Sequence, residues 1–138
     1  MNLPVEWSIR RADAADTPEI AAVLADCWPD DTPDPARIAR LAGSAGRVTL
    51  CACGGGMLAG FADTFMTRSA DGAQRLEIDL LAVRSEARGR GLGRALVDAA
   101  VRQAPSAASR ARAFIRVDNI ASERTFAAAD FAGEAACR

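Results

Sequence analysis

The segment Arg88-Gly89-Arg90-Gly91-Leu92-Gly93-Arg94 constrains this chain more than any other. It lies between two stretches of different period. From Arg75 to Val83, Leu76, Ile78 and Leu80 alternate with Glu77, Asp79 and Leu81, which reads as a strand with Glu77, Asp79 and Leu81 on one face. After the glycines, Leu92, Leu96, Val97, Ala100 and Val101 recur at helical spacing and make one apolar stripe. A turn from strand into helix leaves the first helical N–H groups unpaired, and those donors together with the helix dipole suit an anionic phosphate. Gly89, Gly91 and Gly93 let a ligand approach the main chain, while Arg88, Arg90 and Arg94 add positive charge and bidentate donors. A diphosphate is the expected ligand.

Other glycine-rich loops fit less well. The dinucleotide fingerprint G-x-G-x-x-G needs glycine where position 94 is arginine, and the run G-x-x-x-x-G-K-[ST] does not occur. An arginine–glycine RNA tail would be low-complexity and disordered, whereas this segment runs into an amphipathic helix. Tight packing alone is the plain alternative, and the accompanying arginines argue against it.

Elsewhere the pattern is that of one α/β domain. The 138 residues suit a single domain spanning 1–138, with a core over about 7–138. Trp7 to Arg11 alternates as a strand, and Asp16-Thr17-Pro18-Glu19 carries helix-start signals before Ile20, Val23, Leu24 and Cys27. Asp34-Pro35 starts a second short helix with Ile38 and Leu41 inward, ending at Gly43. Arg47 to Cys53 and Met57 to Met66 read as a hairpin turned by Gly54-Gly55-Gly56, and 67–74 as a loop. Ala113 to Val117 reads as a strand, Asn119 as a helix cap, and Phe131 to Cys137 as a last strand. The expected order is β-α-α-β-β-β-α-β-α-β around a mixed, mainly antiparallel sheet.

Composition removes several chemistries. There is no histidine, so neither a Ser-His-Asp arrangement nor a cysteine/histidine zinc site can be built. Cys27, Cys51, Cys53 and Cys137 lack C-x-x-C spacing and read as reduced core thiols; no metal is expected. The net charge of −1 lacks the basic excess of a general nucleic-acid surface. Met1 to Glu6 does not read as a signal peptide, and no apolar run is long enough to span a bilayer. A cytoplasmic protein without membrane contact is therefore expected.

Leu80-Leu81-Ala82-Val83 followed by Arg88-Gly89-Arg90-Gly91-Leu92-Gly93 resembles the central motif of the GNAT superfamily of N-acetyltransferases: a strand ending in L-x-V, then [RQ]-x-x-G-x-[GA] opening a helix. Val117-Asp118-Asn119 with Phe126 and Phe131 is similar to the second motif of that family, and Ile9 to Asp16 to its first strand and helix entry. The resemblance covers roughly residues 7–138.

The resemblance implies that the strands at 75–83 and 113–117 splay apart to admit the pantetheine arm of acetyl-CoA. It places the arm against unpaired backbone groups of Leu81 and Val83, with Ala82 between them, and the pyrophosphate on the amides and arginines of 88–94. Asn119 and Phe126 would contact the arm. Phe126 stands where the family often carries an acidic tyrosine, and the chain has no tyrosine. An amine would attack the thioester directly, with Glu77 or Asp79 drawing the proton. Repulsion between these carboxylates would suit one of them to base duty. Asp130 replaces an expected glycine. The family usually closes with a hairpin, but after Phe131 there is room for one strand, whose exposed edge a second copy in a homodimer would cover. Two other readings remain open: a CoA-binding regulatory or interaction module without turnover, and a toxin that acetylates aminoacyl-tRNA, against which the balanced charge argues. The acceptor is not legible; the acidic run from Asp26 to Asp34 hints at a cation.

Overall fold

The computed structural model describes residues 6–30, 34, 36–37, 45–114 and 120–133. Five strands form one sheet in sequential order: β1 (Ser8–Arg11), β2 (Arg47–Gly54), β3 (Met57–Arg68), β4 (Gln74–Val83) and β5 (Ala108–Ala113). Neighbours are antiparallel except β4 and β5, which are parallel. The helices described over their full length are α1 (Thr17–Cys27), α2 (Leu92–Arg102) and α3 (Ile120–Ala128).

Apolar alternation divides the sheet into two faces. Leu50, Ala62, Leu76 and Ile78 meet Leu96 and Val97 of α2 and Phe126 of α3 on one face. On the other, Cys51, Leu58, Phe61 and Ala82 meet Ile20, Val23 and Leu24 of α1. The β2–β3 hairpin turns on Gly55 and Gly56, whose φ values of 59° and 77° give the left-handed pair that a two-residue turn requires.

The period of two breaks once in β4. Asp63 pairs with Leu80 but Thr64 pairs with Ile78, so Asp79 is an extra residue, a β-bulge. The bulge reverses the alternation that follows. Leu81 and Val83 pack on the α2 face with Leu76 and Ile78, while Leu80 and Ala82 turn to the α1 face. The expectation that Leu81 shares a face with Glu77 and Asp79 is corrected accordingly: an unbroken strand would have kept it there.

Two further boundaries shift. The strand expected at 113–117 is described over Ala108–Ala113; Phe114 already lies outside it, and 115–117 fall outside the described residues. In β5 Ala111 and Ala113 supply the buried alternation and Arg110 and Arg112 the other face, so its apolar signal is only methyl-sized. Phe131 to Gly133 is not a strand, and the rest of that expected segment is outside the described residues. Ala36 and Arg37 are helical, and Asp34 Oδ1 accepts from the Ala36 amide at 3.1 Å, as a helix start would; 38–44 are outside the described residues.

Asp130 takes the place of the expected glycine in a left-handed conformation, φ 67°. Phe131 N–H donates to the Phe126 carbonyl at 3.0 Å, and the two rings meet edge to face at 5.1 Å. This is a Schellman ending with its apolar contact, formed without glycine.

Candidate active site

Three elements converge on the end of β4. The 3-10 turn Ser85–Ala87 leads from β4 into the glycine loop, and Asp26 near the end of α1 holds its start: the carboxylate accepts from Ser85 N at 2.8 Å and Ser85 Oγ at 3.1 Å. Those donors hold the Asp26 carboxyl below its ordinary value. The loop then passes through Gly89 (φ 79°) and Gly91 (φ 77°), both left-handed and both with open space where a side chain would stand. Gly91 immediately precedes α2, so the first-turn N–H groups of the helix open onto that space.

Gly93 serves another purpose. A Cβ there would lie 3.3 Å from Thr125 Cγ2, so its bareness fits α2 against α3. Open space therefore lies beside Gly89 and Gly91 but not beside Gly93. Leu92 is buried in the α2 core, and only its backbone belongs to the loop. Arg90 and Arg94 are exposed, with Arg94 Nε 3.7 Å from Asp98 on the same helix. Arg88 turns back: Nε donates to the Val83 carbonyl at 3.1 Å and Nη2 to Cys27 Sγ at 3.4 Å.

Beside the loop, β4 outruns its parallel partner. The β4–β5 pairing ends at Ile78 and Ala113, while β4 continues to Val83. The Arg84 amide donates to Ala59 O at 2.7 Å, so by alternation the N–H and C=O of Leu81 and Val83 face away from β3, towards the gap. The Val83 carbonyl is not unpaired there: the Cys27 thiol (3.4 Å) and Arg88 both donate to it. Gly60 is a residue that the sequence pattern does not single out. A Cβ on it would lie 2.7 Å from Ala82 O and 3.2 Å from Val83 Cα, so only glycine lets β3 approach this part of β4.

The two expected carboxylates have different surroundings. Glu77 is 4% exposed. Arg112 Nε donates to its two oxygens at 2.6 and 2.8 Å, Thr67 Oγ1 donates to Oε1 at 2.7 Å, and Arg75 Nε stands 3.7 Å from Oε1. Asp79, on the bulge, has a side chain 48% exposed and accepts from Arg47 Nη2 at 3.0 Å. The same Nη2 binds buried Asp63, which also accepts from Thr49 Oγ1 at 3.1 Å, and the Arg47 guanidinium lies 4.8 Å from the centre of the Phe65 ring. Burial raises the Asp63 carboxyl above its ordinary value against the opposing pull of Arg47.

Phe126, 5% exposed, belongs to the α2-side core. Asn119 lies outside the described residues. No group of three or more metal-binding side chains occurs among the described residues, and no helix among them is long and apolar enough to cross a membrane.

The sequence profile of the acetyltransferase (GNAT) family matches residues 16–131. Among solved structures, the chain is similar to a transcriptional regulator from Bacillus halodurans C-125, with TM-score 0.83, 19% identity, and 96% of this chain and 97% of that one covered. It is also similar to a ribosomal-protein-alanine N-acetyltransferase from Brucella melitensis biovar Abortus 2308, with TM-score 0.76, 22% identity, and coverage of 96% and 98%. A third is AAC(6')-Iy in complex with the bisubstrate analogue CoA-S-monomethyl-acetylneamine, with TM-score 0.83, 18% identity, and coverage of 96% and 95%. No curated protein matches by sequence.

Proposed function

Because the chain belongs to the GNAT family of acetyltransferases, we propose that it transfers an acetyl group from acetyl-CoA to a primary amine. The observation that carries this reading is the open left-handed loop at Gly89 and Gly91, set beside the end of β4, which among the described residues has no β5 partner past Ile78. A related fold holding a CoA-based bisubstrate analogue supports the choice of donor. We take residues 1–138 as one acetyltransferase domain of the cytoplasm, with a core over about 7–138. A second copy would cover the C-terminal edge of the sheet, the side on which β5 is outermost among the described residues.

The loop amides, with Arg90 and Arg94, would hold the pyrophosphate, and Arg88 would join them on leaving Val83. The backbone of Leu81, Ala82 and Val83 would line the pantetheine arm, which Asn119 would also contact; Phe126 would support that wall from the core. The amine nitrogen attacks the thioester carbon, a C–N bond forms, the C–S bond breaks, and CoA leaves as a thiolate. The proton lost by the amine passes to a carboxylate or to water. Asp79 is the carboxylate that reaches solvent, so it takes the proton, and Glu77 acts behind it by holding Arg112 and Arg75. With no tyrosine in the chain, water protonates the thiolate, which its ordinary pKa of about 8.5 permits.

Acetyl-CoA should raise the melting temperature, and Gly91→Glu should abolish that rise by placing a negative side chain against the phosphate. An undiminished rise in the variant would exclude the loop as the site. Binding without turnover on any amine would instead favour the regulatory-module reading.

A further inference from the structure

We propose that Arg75 and Arg112 form an anion subsite on the α1 face of the sheet, which takes a carboxylate or phosphate carried by the acceptor amine. The inference rests on the acetyl-transfer reading and specifies its acceptor.

Both guanidiniums are anchored through Nε. Arg112 Nε meets both oxygens of Glu77 (2.6 and 2.8 Å), and Arg75 Nε donates to Thr67 Oγ1 at 3.3 Å while standing 3.7 Å from Glu77. Glu77 itself is buried, so one carboxylate deep in the sheet face orients two arginines. The terminal nitrogens of both remain without a hydrogen-bond partner among the described residues, and the side chains are 23% and 39% exposed. A guanidinium fixed at Nε presents its remaining donors as a preorganised fork for a planar or tetrahedral anion. Two guanidiniums against one carboxylate leave a charge of +1 to be met from outside.

The position ties the subsite to the chemistry. Glu77 pairs with Arg112 one step before β4 and β5 part at Ile78 and Ala113. Phe114, 76% exposed, directly follows β5 with its ring centre 5.0 Å from the Arg112 guanidinium, an apolar wall that also steadies the cation. Along β4, two residues from Glu77, Asp79 forms the opposite pole. Arg47, Asp63 and Asp79 together carry −1. The face thus sets a negative pole beside a positive one, which complements a molecule bearing both an ammonium and an anion. Purely cationic amines would place like charge against Arg75 and Arg112.

The test uses the intact protein, saturating acetyl-CoA and amines paired by charge: β-alanine with β-alaninamide, and phosphoethanolamine with ethanolamine. The anionic member of at least one pair should be favoured about tenfold in kcat/KM, and the favoured pair identifies carboxylate or phosphate. Arg75→Gln should bring the ratio near one, and so should Glu77→Gln/Arg112→Gln, which avoids an unpaired buried charge. Both variants should keep the acetyl-CoA-induced rise in melting temperature. Equal rates within both pairs, or a preference unchanged in the variants, would overturn the subsite. If no amine is acetylated, equilibrium dialysis of radiolabelled β-alanine and phosphoethanolamine with CoA present decides. Binding that Arg75→Gln removes would uphold the subsite while defeating acetyl transfer, and no binding would overturn the subsite.

Discussion

Arg112 Nε sits within 2.8 Å of both carboxylate oxygens of Glu77, across the paired step between β4 and β5 that precedes the last one, Ile78 with Ala113. The contact joins the two strands at the point where they part, and it neutralises a carboxylate that the sheet buries. Glu77→Ala would leave Arg75 and Arg112 facing one another without a counter-charge. Breaking a fully buried pair costs roughly 3–5 kcal/mol. Because Arg112 is partly exposed, a loss of about 2 kcal/mol is expected from urea unfolding.

Asp79 is the exposed carboxylate on the bulge, and removing its charge should act on turnover. Asp79→Asn should lower kcat by roughly a hundredfold, at the lower end of general-base effects, and leave acetyl-CoA affinity unchanged. Steady-state kinetics with calorimetric titration of acetyl-CoA separates the two quantities.

Gly60 holds β3 close to the working end of β4. Gly60→Ala would press a methyl group against the Ala82 carbonyl at 2.7 Å, and the rigid strand cannot yield cheaply. A loss of about 1–3 kcal/mol is expected from thermal or urea unfolding, with weaker acetyl-CoA binding because Leu81 and Val83 shift.

The acid limb of stability should depend on Asp16. The paired hydrogen bonds from Arg10, both 2.8 Å, hold its carboxyl down at about 2, aided by the Asp13 amide. A carboxyl depressed in the folded state stabilises fully above its unfolded value of about 4 and loses that contribution as pH falls towards 2. Asp16→Asn should therefore melt lower than the parent at neutral pH, with the gap closing between pH 4 and 2. A gap constant over that range would show that the ion pair contributes nothing.

The sequence carries much of the fold because its signals there are local. The stripes of α1 and α2, the Gly55-Gly56 turn and the strand–loop–helix unit at 75–102 follow from periodicity and turn chemistry. The bulge at Asp79 has no such mark: one extra residue leaves the alternation of side-chain types intact and changes only which face they meet. β5 was hidden because the half-buried Ala111 and Ala113 are its inward members, while a stronger apolar residue follows at Phe114. Asp130 shows a conformation surviving the loss of its usual residue. The left-handed glycine loop of the candidate site follows from local backbone chemistry, but the side-chain partners that come from distant strands do not. Nothing near Glu77 in sequence points to Arg112, and nothing near Asp79 points to Arg47. Nothing near Arg88 in sequence points to its turn towards Val83 and Cys27, which depends on α1.

Amine-dependent release of CoA from acetyl-CoA reads acetyl transfer itself. With a panel that includes amines bearing carboxylate or phosphate, the folded protein should release one CoA for each acetylated amine formed, and Gly91→Glu should release none. A protein whose melting temperature rises with acetyl-CoA but which releases no CoA with any amine would contradict the account.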